Sequence, residues 1–222
     1  MTIAAISGRI FGREKVAARK EPAAHGDFRK LVGGGGWHSL PQIVQCRFEA
    51  LAANPGTTTY AGNMVVKRSP LGWFFAQLCR LLGNPLVPLQ GDNVPVDVNV
   101  FQVKGGGVCW QRVYEFPGHA PMIVQSVKVV DPKRGLLECI GGGLGMRLQV
   151  FEADKVLHFV SQGYFLQVGR VHMPIPLLVT PGRVHVEHVH ITDDLFRFRL
   201  SFTHPWFGVS FFQDGMFREK PV

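Results

Sequence analysis

The chain has 222 residues, 46% of them hydrophobic and 18% charged, with a formal net charge of +8. That length can bury one core and falls within the single-domain range of β barrels and sandwiches. No apolar run is long enough to span a bilayer, and the opening MTIAAISGRIFGREK is too short in apolar residues for a secretory signal. Cys46, Cys79, Cys109 and Cys139 lie far apart without the spacing of a metal site, so they read as small buried hydrophobes and the expected compartment is a reducing cytoplasm.

Residues 1–36 form a basic leader. Seven Lys/Arg (Arg9, Arg13, Lys15, Arg19, Lys20, Arg29, Lys30) stand there against Glu14, Glu21 and Asp27. Such a leader is expected to be a solvated tail. Attraction to an anionic membrane surface is the sharper alternative, and the lack of any nucleic-acid motif argues against nucleic acid as a partner. Gly33 to Gly36 lack the Lys-Ser/Thr ending of a phosphate loop and read as a flexible linker, leaving 37–222 as one β-rich domain.

From Ser39, an expected N-cap, Leu40, Ile43, Val44, Phe48 and Leu51 recur at helical spacing until Asn54-Pro55-Gly56 stops the run. A strand follows near 57–67. Ser69-Pro70 then supplies a cap and a helix-starting proline for a second helix ending at Gly83, whose face of Leu71, Phe74, Phe75, Leu78 and Leu82 should pack on a sheet. With Trp73 on its other side, this helix is also the candidate lid or membrane contact, through Trp73, Phe74 and Phe75.

From Val94 onward the hydrophobic period switches to two, in strand-length segments of roughly 95–104, 107–116, 121–130, 136–140, 145–152, 156–168, 184–192, 195–203 and 206–213. So many consecutive strands make a mainly β fold, an antiparallel meander curled into a barrel or half-barrel with two amphipathic helices near its start. Gly141-Gly142-Gly143-Leu144-Gly145 is followed by a strand-like MRLQVFE where a dinucleotide loop needs a helix, so the glycines are expected to make a bulge or sheet corner and no cofactor is indicated.

The order SPLGWFFAQLCRLLGNP, VPVDVNV, WQRVYEF, LLECIGG, PIPLLVTPGRVHVEHV and THPWFGVSFFQDGMF resembles the bacterial domain-of-unknown-function family 4166 over about residues 39–220. The resemblance implies one domain and no activity. Its members are often fused to a saccharopine-dehydrogenase-like NAD-binding domain, which implies an accessory role beside a dehydrogenase-like protein partner. The family pattern falls on Trp110, Arg112, Glu138, Arg183 and Glu187, and Gln213 stands where members commonly carry Tyr.

Two strands carry the candidate chemistry. Trp110, Arg112, Tyr114 and Phe116 share one face by the two-residue period, which sets an Arg among aromatics either as an anion site or with its head in water. Glu187 alternates with Val189 and Ile191 and is expected to face a core made by Phe196, Phe198, Leu200 and Phe202, paired with Arg112 or Arg183. His188 and His190 then fall on the opposite, solvated face, and no metal site is indicated. The leading expectation is a small apolar or amphipathic ligand, with or without an anionic group, in a β-sheet cavity lined by Trp110, Arg112, Tyr114, Glu138, Arg183 and Glu187. The rivals are an enzyme using Glu187 and Arg112 as acid/base and anion clamp, with Glu138 a further catalytic candidate, and a peripheral membrane protein.

Overall fold

The computed structural model describes residues 28–53, 56–80, 86–104 and 106–221. Most of the basic leader and the residues Leu81 and Leu82 therefore lie outside the described residues. The elements run α1 (Phe28–Val32), α2 (Gly34–Ser39), α3 (Gln42–Ala53), β1 (Thr58–Arg68), α4 (Pro70–Cys79), β2 (Gly91–Gln102), β3 (Val108–Tyr114), β4 (Met122–Asp131), β5 (Gly135–Gly141), β6 (Leu144–Ala153), β7 (Val156–Val168), β8 (Val171–Ile175), β9 (Arg183–His190), β10 (Leu195–His204) and β11 (Gly208–Glu219).

Every strand pairing is antiparallel, in the order β6-β5-β4-β3-β2-β1-β11-β10-β9-β7, and β7 returns to β6. This closes a ten-stranded barrel, and β8 folds back on the far half of β7. Closure leaves no unpaired edge among the ten strands and fills the interior with alternate side chains. The interior set includes Val94, Val96, Val98 and Val100 of β2 and Phe196 and Phe202 of β10, all buried. The glycine tract between β5 and β6 makes a tight corner, with Gly141, Gly142 and Gly143 at φ of 116°, 56° and 78°, as its composition leads one to expect.

The helices close the two ends differently. Phe28 of α1 and Phe48 of α3 meet edge-on at 5.1 Å between ring centroids, and both pack on Phe159 of β7. With Trp37 and Val44 also buried, α1 to α3 plug the end where β6 turns into β7. The linker expectation for the glycines is thus corrected, since Gly34–Ser39 is helical and Trp37 needs that helix to reach the core. Ser39 is not the cap of α3. Leu40 before Pro41 is held extended, and the new helix starts after the proline.

At the other end, Ser69 caps α4 by accepting from the Gly72 N–H at 3.2 Å, with Pro70 opening the helix. The face of α4 differs from expectation. Gly72, Phe75, Ala76 and Cys79 are buried, while Trp73, Phe74 and Leu78 are exposed. Gly72 explains the rotation, because a Cβ there would lie 2.1 Å from the Ser210 carbonyl oxygen of β11. The helix approaches the sheet along the stripe that lacks a side chain, and the larger residues turn outward. No helix among the described residues is long and apolar enough to cross a membrane.

Candidate functional site

The barrel encloses a cavity of about 230 Å3 between the plug and α4. Phe48 lines it from the plug side and Phe75, Leu78 and Cys79 from α4. Its walls are largely apolar, from Val124, Met146, Phe159, Val184, Val186, Phe198, Leu200, Phe202 and Phe211 among others. Alternation along β3 sends Trp110, Arg112 and Tyr114 inward together, and Glu138 of β5 joins them across the wall. Four of the expected site residues therefore share one cavity.

Glu138 is buried and fully engaged. It accepts from Ser126 Oγ at 2.6 Å and from Lys128 Nζ at 3.0 Å. Burial opposes its ionisation, but Lys128, the Ser126 hydroxyl and Arg112 together outweigh that and hold the carboxyl below its ordinary range. Lys128 is lowered by burial, an effect that Glu138 partly offsets, and its ammonium lies 5.0 Å from the centre of the Trp110 ring.

Arg112 is buried, with its guanidinium 5.4 Å from the Phe198 ring centroid. Among the described residues it has no hydrogen-bond or ion-pair partner, and the buried Trp110 Nε1 also lacks an acceptor. Tyr114 OH donates to Gln213 Oε1 at 3.0 Å, and burial raises the phenol. Tyr164 OH donates to the Gly182 carbonyl at 2.7 Å and is likewise raised by burial. His188 faces the cavity, and burial, with Arg47 beside it, depresses its pKa to about 3. The imidazole is thus neutral, and it bonds Arg47 Nη1 through Nε2 at 3.3 Å. Lys128 engages the carboxylate of Glu138, and Arg112 is left lining the cavity without an ion-pair partner among the described residues.

The inward assignment of Glu187 is corrected. Register pairs Phe198 with His188 and Arg199 with Glu187, so the apolar face of β10 meets Val184, Val186 and His188, and Glu187 points outward. Glu187 lies 3.4 Å from Arg199, which also approaches Asp214 at 3.6 Å, and Asp214 pairs closely with Arg197. Arg183 is likewise exposed on the outer side, so neither it nor Glu187 lines the cavity. His188 and His190, expected on a solvated face, alternate with Glu187, and His188 is buried inside. On the outer wall, His158 Nδ1 and His185 Nε2 are 3.0 Å apart, and with Glu187 their ligand atoms lie within 4.8 Å of one another. This is metal-ligand spacing, with the carboxylate already engaged by Arg199.

Sequence reasoning missed Lys128, Ser126 and His188. Lys128 had a signal: it alternates with Val124 and Ser126 on β4, and a carboxylate set in LLECIGG needs a cation across the sheet. Trp73 and Phe74 are exposed as a lid or membrane contact requires, whereas Phe75 is buried and lines the cavity.

A family model described as a domain of unknown function (DUF4166) matches residues 40–217. No curated protein and no solved structure matches the chain.

Proposed function

The chain belongs to that domain-of-unknown-function family, and from the cavity we propose that the barrel binds one small amphipathic molecule, its anionic head on Arg112 and its tail among the apolar walls. The observation that carries this reading is a buried guanidinium that, among the described residues, has no hydrogen-bond or ion-pair partner in a largely apolar cavity. A buried charge without a directly bonded counter-ion is costly, Glu138 is already engaged by Lys128 and Ser126, and a carboxylate-sized anion would supply the hydrogen-bond partner that Arg112 lacks. Trp110, two residues away on the same strand face, adds an unpartnered N–H donor. The walls from Phe75 to Phe211 offer the tail apolar contact, and the cavity suits a small ligand.

The enzymatic alternative finds less support. Glu187 and Arg112 lie on opposite faces of the barrel wall, and Glu138, held ionised by Lys128, is poorly suited to donate a proton near neutral pH.

Titration calorimetry with decanoate and with decanol tests the binding reading. Decanoate is expected to bind the wild type more tightly than decanol, and Arg112→Gln is expected to weaken decanoate about tenfold to a hundredfold while leaving decanol nearly unchanged. Equal affinities for acid and alcohol, or an Arg112→Gln variant that holds decanoate as well as the wild type, would refute the assignment of the head group.

A further inference from the structure

The exposed apolar residues are not scattered. Trp73, Phe74 and Leu78 of α4, Leu178 and Val179 of the short turn before β9, and Trp206, Phe207 and Val209 of the β10–β11 turn all sit at the α4 end of the barrel. Val168, Val171 and Met173 of the β7–β8 hairpin and Ile123 at the start of β4 lie at that end as well, which leaves only Ile191 and Met216 elsewhere among the exposed large hydrophobics of the described residues. The segments are tied to one another. Ser69 N–H donates to the Ser210 carbonyl, Ser210 Oγ donates to the Pro181 carbonyl, and His204 Nε2 bonds the Leu178 carbonyl.

The patch is continuous with the cavity. Leu78 and Val179 line the cavity and are at the same time 49% and 62% exposed, so the interior reaches the surface between α4 and the 177–181 segment. The charge around this opening is predominantly positive. Residues 68–80, 86–90, 168–183 and 203–213 include Arg68, Arg80, Arg170 and Arg183 and not one Asp or Glu. Asp92, the next acid along the chain, is paired with Lys67 at 3.8 Å, and Glu115 stands on the β3 side.

We propose that this end of the barrel docks on an anionic phospholipid surface, with the Trp73/Phe74 and Trp206/Phe207 rings in the interfacial layer and the arginines among the headgroups, so that the cavity opens toward the bilayer. Aromatic rings with one wet side favour that layer, and each arginine near an anionic leaflet adds attraction that salt screens. The cargo rests on the cavity reading, but docking does not, and the two are separable by experiment.

The full chain is sedimented with vesicles of phosphatidylglycerol and phosphatidylcholine, and with phosphatidylcholine alone, at low and high salt. Binding to the anionic vesicles that weakens with salt is expected, with a blue shift in emission from Trp73 and Trp206, since Trp37 is already buried and Trp110 is in the wall. The pairs Trp73→Ser with Phe74→Ser, Trp206→Ser with Phe207→Ser, and Arg80→Gln with Arg183→Gln should each lower partitioning by about tenfold or more. Ile191→Ser at the plugged end and Arg112→Gln inside should dock like the wild type, provided that thermal melts confirm folding. The proposal fails if wild-type chain ignores anionic vesicles at low salt, or if the three pairs bind as it does. A stable dimer in light scattering, lost in the same variants, would reassign the face to a second copy and equally overturn it.

Discussion

Lys128 and Glu138 face each other across β4 and β5 with both side chains nearly inaccessible, whereas Glu187 and Arg199 pair on the outer wall within reach of water. The two carboxylates should therefore respond differently to the same change. Glu138→Gln strands the Lys128 ammonium and is expected to cost about 3–5 kcal/mol in denaturant unfolding, while Glu187→Gln should cost no more than about 1 kcal/mol. The sequence suggests both carboxylates for the cavity, and Glu138 alone of the two lines it. Period-two alternation shows which residues share a face, but only the partner strand says which face is inside. In β10, Phe196 and Phe198 alternate with Arg197 and Arg199, and the register that joins Glu187 to Arg199 is a tertiary fact.

His188 gives a second residue-scale test. Its folded pKa, about 3, lies below its unfolded value near 6.5, so between those limits the unfolded chain binds the extra proton. Stability is then intact above pH 6.5 and falls as pH drops below it. Between pH 7 and pH 5 the wild type should lose about 2 kcal/mol more than His188→Gln. Glu138 does not confound this window. Its folded pKa is lowered, so the stability it contributes is present above the unfolded carboxyl value and is lost only at lower pH. A difference that stayed constant across the window would mean that His188 is solvated.

At the scale of elements, the strands were legible because each carries its own alternation and is bounded by Gly, Pro or Asp. β8 was not, since VHMPI is short, holds a proline and pairs only as a fold-back on β7. The helical face of α4 was misread for a reason that local sequence hides: the Gly72 stripe is defined by the Ser210 carbonyl, more than a hundred residues away. The plug was hidden in the same way. A run of four glycines reads as a joint, yet Phe28 and Trp37 on either side are buried against the barrel. Deleting residues 1–36 removes the Phe28 contacts with Phe48 and Phe159, and the melting temperature is expected to fall by about 10 °C. A truncated chain that melts with the full one would show that the packing of α1 is dispensable.

For the whole molecule, antiparallel repetition and chain length made a curled sheet readable from the sequence, and closure through β6 and β7 completes it. Of the expected ligand-facing residues, Trp110, Arg112, Tyr114 and Glu138 line the cavity together, the first three by alternation along β3 and Glu138 from β5. The molecule is thereby asymmetric along its axis, with a packed aromatic plug at one end, an apolar, acid-poor opening at the other and, between them, Arg112, which has no ion-pair partner among the described residues. The direct test of that cation as an anchor is native mass spectrometry of the wild type and Arg112→Gln after incubation with equal amounts of decanoate and decanol. A one-to-one decanoate adduct is expected on the wild type and is expected to disappear in Arg112→Gln. Equal decanoate occupancy of the two proteins, or no adduct on the wild type, would contradict it.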